Sequence, residues 1–91
     1  MLYLISYDIV DDKKRGRLHK LLKNYGKRNQ YSVFECDIDS KKYVELLYKI
    51  NKLFKIESGD SIMIYPICSS CYSKIVRKGN FIPLDENNLI F

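Results

Sequence analysis

The stretch that decides the fold is Leu2-Tyr-Leu-Ile-Ser-Tyr-Asp-Ile-Val10, near the start of the 91-residue chain. It is rich in leucine, β-branched and aromatic residues, which favour a strand in the middle of a sheet. Because side chains of a strand alternate between its two faces, these residues divide into two sets. The odd-numbered set is apolar or aromatic, whereas the even-numbered set includes Asp8. The stretch therefore predicts a central strand that carries one carboxylate.

A helix is expected directly after this strand. Asp11 and Asp12 suit its N-terminus, because carboxylates accept hydrogen bonds from the free amides there and oppose the helix dipole. Gly26 is expected to end the helix as its C′ residue. Apolar residues recur at helical spacing, and the expected buried stripe consists of Leu18, Leu21, Leu22 and Tyr25.

Positive charge is concentrated in this helix and the segment that follows it. Residues 13–34 hold eight of the sixteen lysines and arginines and no acid, in a chain of net charge +5. Lys13, Arg17 and Lys20 are spaced to line one flank of the helix, away from the apolar stripe. Arg15 lies near the strand end, within reach of its carboxylate or of a phosphate beside it. Such a distribution favours a nucleic-acid partner over a merely solvated helix face.

The middle of the chain predicts a hairpin and a second helix. Residues 27–38 indicate two strands with a tight bend near Tyr31 and Ser32. Asp39 and Ser40 are suited to cap the helix that follows. Its expected buried stripe consists of Tyr43, Val44, Leu47, Ile50 and Phe54.

The last part of the chain predicts strands again. Gly59 and Asp60 indicate a turn before a strand over residues 61–68. Pro66 lacks an amide donor, so this strand is expected at a sheet edge or to end there. A further short strand is expected at residues 75–77.

The order strand, helix, strand, strand, helix, strand is typical of a ferredoxin-like α+β sandwich. A chain of this length forms one small domain, here residues 1–91. Two helices would cover one face of the sheet and leave the other face bare, which is unfavourable for a monomer. The tail, residues 79–91, ends in three apolar residues. We therefore expect a homodimer in which the tail packs on the partner subunit as an extra strand or extension.

Composition excludes several classes of protein. The apolar runs are far shorter than the roughly 20 residues needed to cross a bilayer, so we expect no membrane association. The first residues include an acid and lack a basic region, so no signal peptide is expected. Three cysteines in a chain that is not cysteine-dense fit reduced thiols. Together these features predict a cytoplasmic protein.

Asp8 is the strongest candidate for chemistry on the residues alone. A carboxylate in an apolar strand costs free energy unless it is paired, hydrogen-bonded or bound to a metal. The residues alone admit two interpretations: a structural one, as a loop cap or an arginine partner, and a functional one, as a ligand of a hard cation. One carboxylate is few for Mg²⁺, which prefers an octahedron of oxygens. A twofold dimer would supply two copies of Asp8, and the ion between them would offset their repulsion and activate water against a phosphodiester.

Two other patterns are less specific. The spacing of Cys68-Ser-Ser-Cys71 occurs in zinc and redox sites, but a zinc site needs four ligands. Only Cys36 and His19 remain, on elements with no evident reason to converge, so we expect plain buried thiols. His19 lies on the basic helix and is expected at the surface or near a phosphate.

Three segments together resemble the motifs of one family. The second of them departs from the usual pattern, Tyr-Gly-x-Arg-Val-Gln-x-Ser-Val-Phe-Glu, only in Asn29, which stands where valine is usual. On these motifs the chain resembles the small CRISPR-associated Cas2 family over nearly its whole length. The segments are Ser6-Tyr-Asp-Ile-Val-Asp-Asp-Lys-Lys-Arg-Gly-Arg-Leu18, Tyr25-Gly-Lys-Arg-Asn-Gln-Tyr-Ser-Val-Phe-Glu-Cys36 and Asp60-Ser-Ile-Met-Ile-Tyr-Pro-Ile67.

The resemblance implies a ferredoxin-like homodimer that acts in CRISPR spacer acquisition. Such a protein bridges copies of the CRISPR integrase subunit and binds double-stranded DNA. The resemblance also implies a metal-dependent endonuclease acting on RNA, single-stranded RNA included, or on double-stranded DNA, for which we expect Mg²⁺ or Mn²⁺. The family's metal-binding aspartate matches Asp8, which becomes the expected catalytic residue. The expected nucleic-acid-binding residues are Arg15, Arg17, Lys20 and Arg28, and the expected supporting residues are Tyr7, Ser32 and Phe34.

Two alternatives remain open from the sequence. A toxin-like ribonuclease of the virulence-associated protein D type shares the fold and a similar middle motif, and would prefer single-stranded RNA. A scaffold dimer would bind DNA without cleaving it, and Asp8 would then be dispensable. Binding to a CRISPR integrase would favour the Cas2 interpretation over the toxin.

Overall fold

The computed structural model describes residues 1–79. In chain order the elements of this part of the chain are β1 (Leu2–Asp8), α1 (Asp12–Lys23), β2 (Lys27–Gln30), β3 (Val33–Asp37), α2 (Ser40–Leu53), β4 (Ser61–Ile67) and α3 (Ser69–Tyr72). The four antiparallel strands form one sheet in the order β2-β3-β1-β4, so β1 lies inside it. β4 is an edge strand, as Pro66 predicted.

Both long helices pack on the same face of the sheet. Alternation along β1 and its register with β3 place Tyr3, Ile5 and Tyr7 on this face with Phe34. These side chains are buried with apolar residues of α1 and α2 in one core, and Tyr3 stacks on Tyr43 with ring centroids 3.9 Å apart. The predicted α+β fold class is confirmed. Helix residues buried in this core are Leu18, Leu22, Leu46 and Ile50.

The opposite sheet face, which we call the open face, is only partly covered. Met63 and Tyr65 of β4 project from it and remain 55% and 46% exposed. Glu35 of β3 also projects from this face, yet it is buried, because Arg77 forms an ion pair with it at 2.5 Å. The second oxygen of Glu35, Oε2, has no hydrogen-bond partner among residues 1–79.

Gly26 has a different role from the predicted one. α1 ends at Lys23, and its C-cap, Asn24, has right-handed helical angles. Gly26 therefore lies two residues beyond the C-cap, so the prediction of Gly26 as the C′ residue was wrong by one position. The glycine is required by a close approach instead, since a Cβ at this position would lie 2.2 Å from the carbonyl oxygen of Glu35.

The buried stripe of α2 is shifted from the predicted one. Asp39 is the N-cap and accepts a hydrogen bond from the amide of Lys42 at 2.8 Å, as expected. Val44, however, is 64% exposed, and Leu46 is fully buried in its neighbourhood. Helical spacing admits either residue beside the stripe, and in the structure Leu46 is the one packed in the core.

The chain after β4 also differs from expectation. The strand ends at Ile67, and the one-turn helix α3 was not predicted. Residues 75–77 are not a strand, because they bring Arg77 onto the open face instead of pairing with a sheet edge. Cys68 and Cys71, expected to be buried, are exposed, whereas Cys36 is buried.

The β2–β3 hairpin forms where the sequence predicted it, with the bend at Tyr31 and Ser32. The strand register shifts between Arg28 and Gln30, so Asn29 lies at a β-bulge. Its side-chain oxygen is buried without a hydrogen-bond partner among the described residues. The departure from the family's valine thus falls at an irregularity of β2.

A buried ion pair ties the segment after β1 to the loop before β4. Lys14 donates from Nζ to Asp60 at 2.5 Å and to the carbonyl of Lys55 at 2.8 Å. Asp60 also accepts hydrogen bonds from the amides of Val10 at 2.9 Å and Glu57 at 3.0 Å. Side-chain exposure is 8% for Lys14 and 2% for Asp60. This contact, the Lys14–Asp60 clamp, fixes the chain two residues beyond Asp8.

No helix within residues 1–79 is long and apolar enough to cross a membrane. The predictions for the tail concern residues 79–91, of which residues 80–91 lie outside the described part of the chain. The assignment of residues 1–91 to a single domain stays a prediction.

Two glycine substitutions should have opposite effects on stability. Gly26→Ala should destabilise the protein by about 1–3 kcal/mol, because the new Cβ would meet the β3 backbone. Gly16→Ala should stabilise it by about 0.5–1 kcal/mol, because Gly16 lies inside α1 with no atom within 4 Å of a new Cβ. Urea unfolding of both variants measures the difference. A Gly26→Ala variant as stable as the parent would contradict the close approach.

The clamp should also be visible in the pH dependence of stability. Hydrogen bonds from Lys14 and from two backbone amides lower the pKa of Asp60 from 3.8 to about 2. The stabilisation from its ionised form is therefore complete above the unfolded-state pKa and is lost as pH falls toward about 2. Asp60→Asn should unfold at lower urea concentration at pH 7, and its deficit against the parent should shrink between about pH 4 and pH 2.

Glu57→Gln provides the matched control, because Glu57 also faces Lys14, at 3.5 Å, but its side chain is 64% exposed. Its unfolding curve should stay close to that of the parent at every pH. A deficit for Asp60→Asn that is the same at pH 2 and pH 7 would rule out the clamp as the source of the stabilisation.

Candidate nucleic-acid and metal site

Asp8 is the last residue of β1 and lies opposite Ser61 of β4. Strand alternation places it on the open face, the same side as Leu4 and Ser6. Its carboxylate is exposed and forms no hydrogen bond or ion pair with any residue that the structure describes. An exposed, unpartnered carboxylate is available to a ligand, so neither structural alternative for Asp8, the loop cap or the arginine partner, is seen here.

Arg15 lies beside the strand end but does not bind Asp8. Its Nη1 donates to the carbonyl oxygen of Ile9 at 2.9 Å, and its Nη2 forms an ion pair with Asp12. These two contacts fix the plane of the guanidinium in the turn between β1 and α1. The arginine therefore presents an oriented cation on the helix side of the sheet.

A concave surface of about 280 Å³ joins α1 to the β2–β3 hairpin. It unites residues from three elements, and the amide of Tyr7 donates to the carbonyl of Ser32 at 3.0 Å across its floor. We call this surface the basic pocket. Its lining residues are Tyr7, Asp12, Arg15, Gly16, His19, Arg28, Tyr31 and Ser32.

The pocket carries a net positive charge, because its lining includes Arg15 and Arg28 against the single carboxylate of Asp12. The charges of Arg28 and Lys23 add to burial, the larger cause, in lowering the pKa of His19 below 6.5. Burial raises the pKa of Tyr7 above 10.0, and the charges of Arg28 and Arg15 partly oppose that rise. Both side chains are therefore neutral at pH 7, and the net positive charge of the pocket comes from its two arginines.

The structure brings together only some of the predicted site residues. Tyr7, Arg15, Arg28 and Ser32 share the basic pocket. Phe34 is fully buried beneath it and contacts His19 edge to face at 5.3 Å between ring centroids. Arg17 and Lys20 are exposed on α1 and do not line the pocket, and Asp8 lies on the other side of the sheet.

Sequence reasoning gave no role to Tyr31 or Gly16, and placed His19 only loosely. His19 is four residues after Arg15 and therefore on the same side of α1, which the helical spacing could have shown. Tyr31 precedes Ser32 in the hairpin bend and is 90% exposed. Gly16 leaves open space because it has no side chain.

The metal prediction can be tested against the ligands present. Within residues 1–79 no group of three histidine, cysteine, aspartate or glutamate side chains could hold a metal ion. One chain thus offers the carboxylate of Asp8 alone, which fits a hard cation only if a second protein ligand and waters complete the shell. The exposed position of Asp8 on the open face leaves it accessible to such a ligand from a second copy.

This chain is similar to known proteins of one family. Residues 1–75 match the family model described as CRISPR associated protein Cas2. The chain is 44% identical over 91 residues to CRISPR-associated endoribonuclease Cas2 1 of Chloroflexus aurantiacus, covering 100% of this chain and 98% of that relative.

Solved structures agree with this match. The crystal structure of Streptococcus pyogenes Cas2 at pH 6.5 superposes with a TM-score of 0.72 and 27% identity, covering 87% of this chain and 100% of that one. A chain of a partial Cas6-RT-Cas1–Cas2 complex gives a TM-score of 0.69 and 29% identity, covering 97% and 92%. The resemblance inferred from three short motifs is therefore confirmed over most of the chain. This chain belongs to the CRISPR-associated Cas2 family.

Proposed function

We propose that the protein is a nucleic-acid-binding subunit of CRISPR spacer acquisition that also hydrolyses phosphodiester bonds. In this proposal two copies form a homodimer, and their two Asp8 carboxylates hold one Mg²⁺ or Mn²⁺. The observation that carries it is the position of Asp8, exposed and without a partner among the described residues, at the end of a central strand.

The open face supports the dimer. Met63 and Tyr65 expose apolar surface beside the row of residues that ends in Asp8. Apolar surface of this kind is stabilised by burial against a second copy. A twofold axis near the end of β1 would bring the two carboxylates to one place, which neither chain achieves alone.

The basic pocket supports a polyanionic substrate. Arg15 is already oriented by its two contacts in the turn. Arg28 forms no ion pair with a described residue, so its guanidinium is available to a phosphate. Tyr31, exposed at the rim, offers an aromatic face on which a base can stack. A strand bound in this pocket follows the helix side of the sheet.

In the proposed hydrolysis of phosphodiester bonds, the protein side chains and the divalent ion have different roles. A divalent ion, when bound, supplies a Lewis acid and lowers the pKa of a bound water. Asp8 holds that ion, and Arg15 and Arg28 hold and orient the phosphate backbone. Tyr7 and Ser32 keep the floor of the pocket in shape through their backbone hydrogen bond.

The relatives support the two parts of the proposal, phosphodiester hydrolysis and spacer acquisition, in different ways. The Chloroflexus aurantiacus relative is named an endoribonuclease, and one structural neighbour belongs to a complex that includes Cas1. We propose the CRISPR integrase subunit as the partner of this chain, with double-stranded DNA as the bound nucleic acid and RNA as a second substrate. Family membership favours this function over the toxin-like ribonuclease, and a scaffold without cleavage is the alternative that experiment must separate.

Asp8→Asn should lower metal-dependent cleavage of RNA or duplex DNA by about 100-fold or more, since it removes the proposed protein ligands of the ion. Asp37→Asn is the matched control, because Asp37 lies toward the opposite end of the same sheet face. Both variants should keep the parental urea-unfolding curve within about 0.5 kcal/mol. Equal cleavage rates for the parent and Asp8→Asn would show that the nuclease activity does not depend on Asp8. If Asp8→Asn still supports DNA integration by the CRISPR integrase, the result would favour the alternative of a scaffold dimer that binds DNA without cleaving it.

Duplex DNA binding should weaken as salt is raised, because arginine and lysine contacts to phosphates release counterions. Arg28→Ala should reduce the slope of log affinity against log salt by about 1 if Arg28 contacts one phosphate. Lys41→Ala, at an exposed position on α2, should leave the slope unchanged. An affinity for duplex DNA that is the same at low and high salt would contradict the proposal that the protein binds nucleic acid through its phosphates.

A further inference from the structure

Cys68 and Cys71 form a surface feature that the proposed function does not use. Cys68 follows the last residue of β4 and is the N-cap of α3, and Cys71 lies within that helix. Both thiols are exposed. The one-turn helix connects the edge strand to the segment that carries Arg77 onto the open face.

The fold places Cys68 and Cys71 within one turn of helix. The amide of Tyr72 donates to the carbonyl of Cys68 at 2.8 Å, which closes a helical turn around the pair. Residues three apart in such a turn have Cα atoms roughly 5–6 Å apart, within the range that a disulfide spans. Cys68 Sγ lies 3.2 Å from Ser70 Oγ, within the turn that joins the two cysteines.

These contacts make the two thiols unequal. Hydrogen bonds from the Ser70 hydroxyl, the Cys71 amide and the Cys71 thiol lower the pKa of Cys68 from 9.0 to about 7. The interaction with the Cys68 side chain, together with the charge of the Cys68 thiolate, raises the pKa of Cys71. At neutral pH, Cys68 is the nucleophile of the pair and Cys71 keeps its proton. The helix is one turn long, so the effect comes from hydrogen bonds and not from a helix dipole.

Cys36 provides a contrast within the same chain. Burial, with a smaller effect from the charge of Glu35, raises the pKa of Cys36 to about 11. It is fully buried in the core, so it is expected to be unreactive in the folded protein.

We propose that Cys68 and Cys71 are a redox-active dithiol that is oxidised to an intramolecular disulfide by a low-molecular-weight disulfide such as that of glutathione. In the first step the Cys68 thiolate attacks one sulfur of the oxidant, forms a mixed disulfide and releases one thiolate. In the second step Cys71 loses its proton to solvent, attacks the sulfur of Cys68 and releases the second thiolate. The protein loses two protons and two electrons, and the oxidant takes them up and leaves as two thiols.

A zinc site is a poorer explanation of the same pair. Structural zinc needs four ligands, and within residues 1–79 no third histidine, cysteine or carboxylate joins the two thiols. The dithiol does not depend on the nuclease or on DNA binding.

The test uses the full reduced chain, equilibrated without oxygen at pH 7 over stepped ratios of oxidised to reduced glutathione. Acid quenching, alkylation and mass spectrometry should show a species lighter by two hydrogens, with residues 68 and 71 crosslinked. Cys36 should be alkylated only after denaturation. The proposal is overturned if excess oxidised glutathione yields no crosslink, only a stable mixed disulfide, or a disulfide between chains.

A rate measurement tests the assignment of the nucleophile. At pH 7 a thiol with a pKa of about 7 is half ionised, whereas a thiol with a pKa of 9.0 is about one per cent ionised. The thiolate of lower pKa is also the weaker nucleophile, by most of a factor of ten, so it keeps only part of the roughly fiftyfold advantage in ionised fraction. The Cys71→Ser variant, which keeps Cys68, should therefore react with oxidised glutathione about fivefold or more faster than Cys68→Ser, which keeps Cys71. Serine at position 71 retains the amide and a hydroxyl donor.

Ser70→Ala in the Cys71→Ser background removes the hydroxyl contact without removing the nucleophile. It should move the pH of half-maximal reaction rate upward, an effect that a merely structural serine would not have. Equal rates for the Cys71→Ser and Cys68→Ser variants, or an unchanged pH profile for Ser70→Ala, would contradict the proposed roles.

Discussion

The alternation of side chains along β1 is the constraint on which the rest of the structure depends. β1 is paired on both sides, so its backbone cannot rotate to bring a side chain to the other face. One face is filled by the core under α1 and α2, which takes Tyr3, Ile5 and Tyr7. The next residue, Asp8, must project to the open face. The strand therefore separates two kinds of chemistry that are adjacent in sequence: an arginine-lined pocket on the helix side and a carboxylate on the other.

This separation explains why, in the proposed function, one chain does not provide the complete site. The cations that can hold a phosphate lie between α1 and the hairpin, and the carboxylate that can hold an ion faces away from them. A second copy meeting the open face would add the missing carboxylate without disturbing either pocket. The Lys14–Asp60 clamp contributes by fixing the chain immediately after Asp8. Lys14 looks in sequence like one more phosphate-binding base, yet it is buried and serves the fold.

Much of this architecture was predictable because its determinants are local. The alternation of β1, the caps at Asp11 and Asp39 and the hairpin bend each depend on a few neighbouring residues, and all are confirmed. The misses depend on contacts between distant parts of the chain. Lys14 and Asp60 are 46 positions apart, and helical spacing alone could not select Leu46 over Val44. The motifs predicted Asp8 as the site residue, but they could not show that Arg15 turns away from it.

The central claim is that a site for one divalent ion is shared by two copies of Asp8. The most direct measurement is the stoichiometry of Mn²⁺ binding, followed by electron paramagnetic resonance as the ion is titrated into the protein. The account predicts one bound Mn²⁺ for every two chains, and no such binding by Asp8→Asn. One ion per chain, or equal binding by Asp8→Asn, would contradict the shared site.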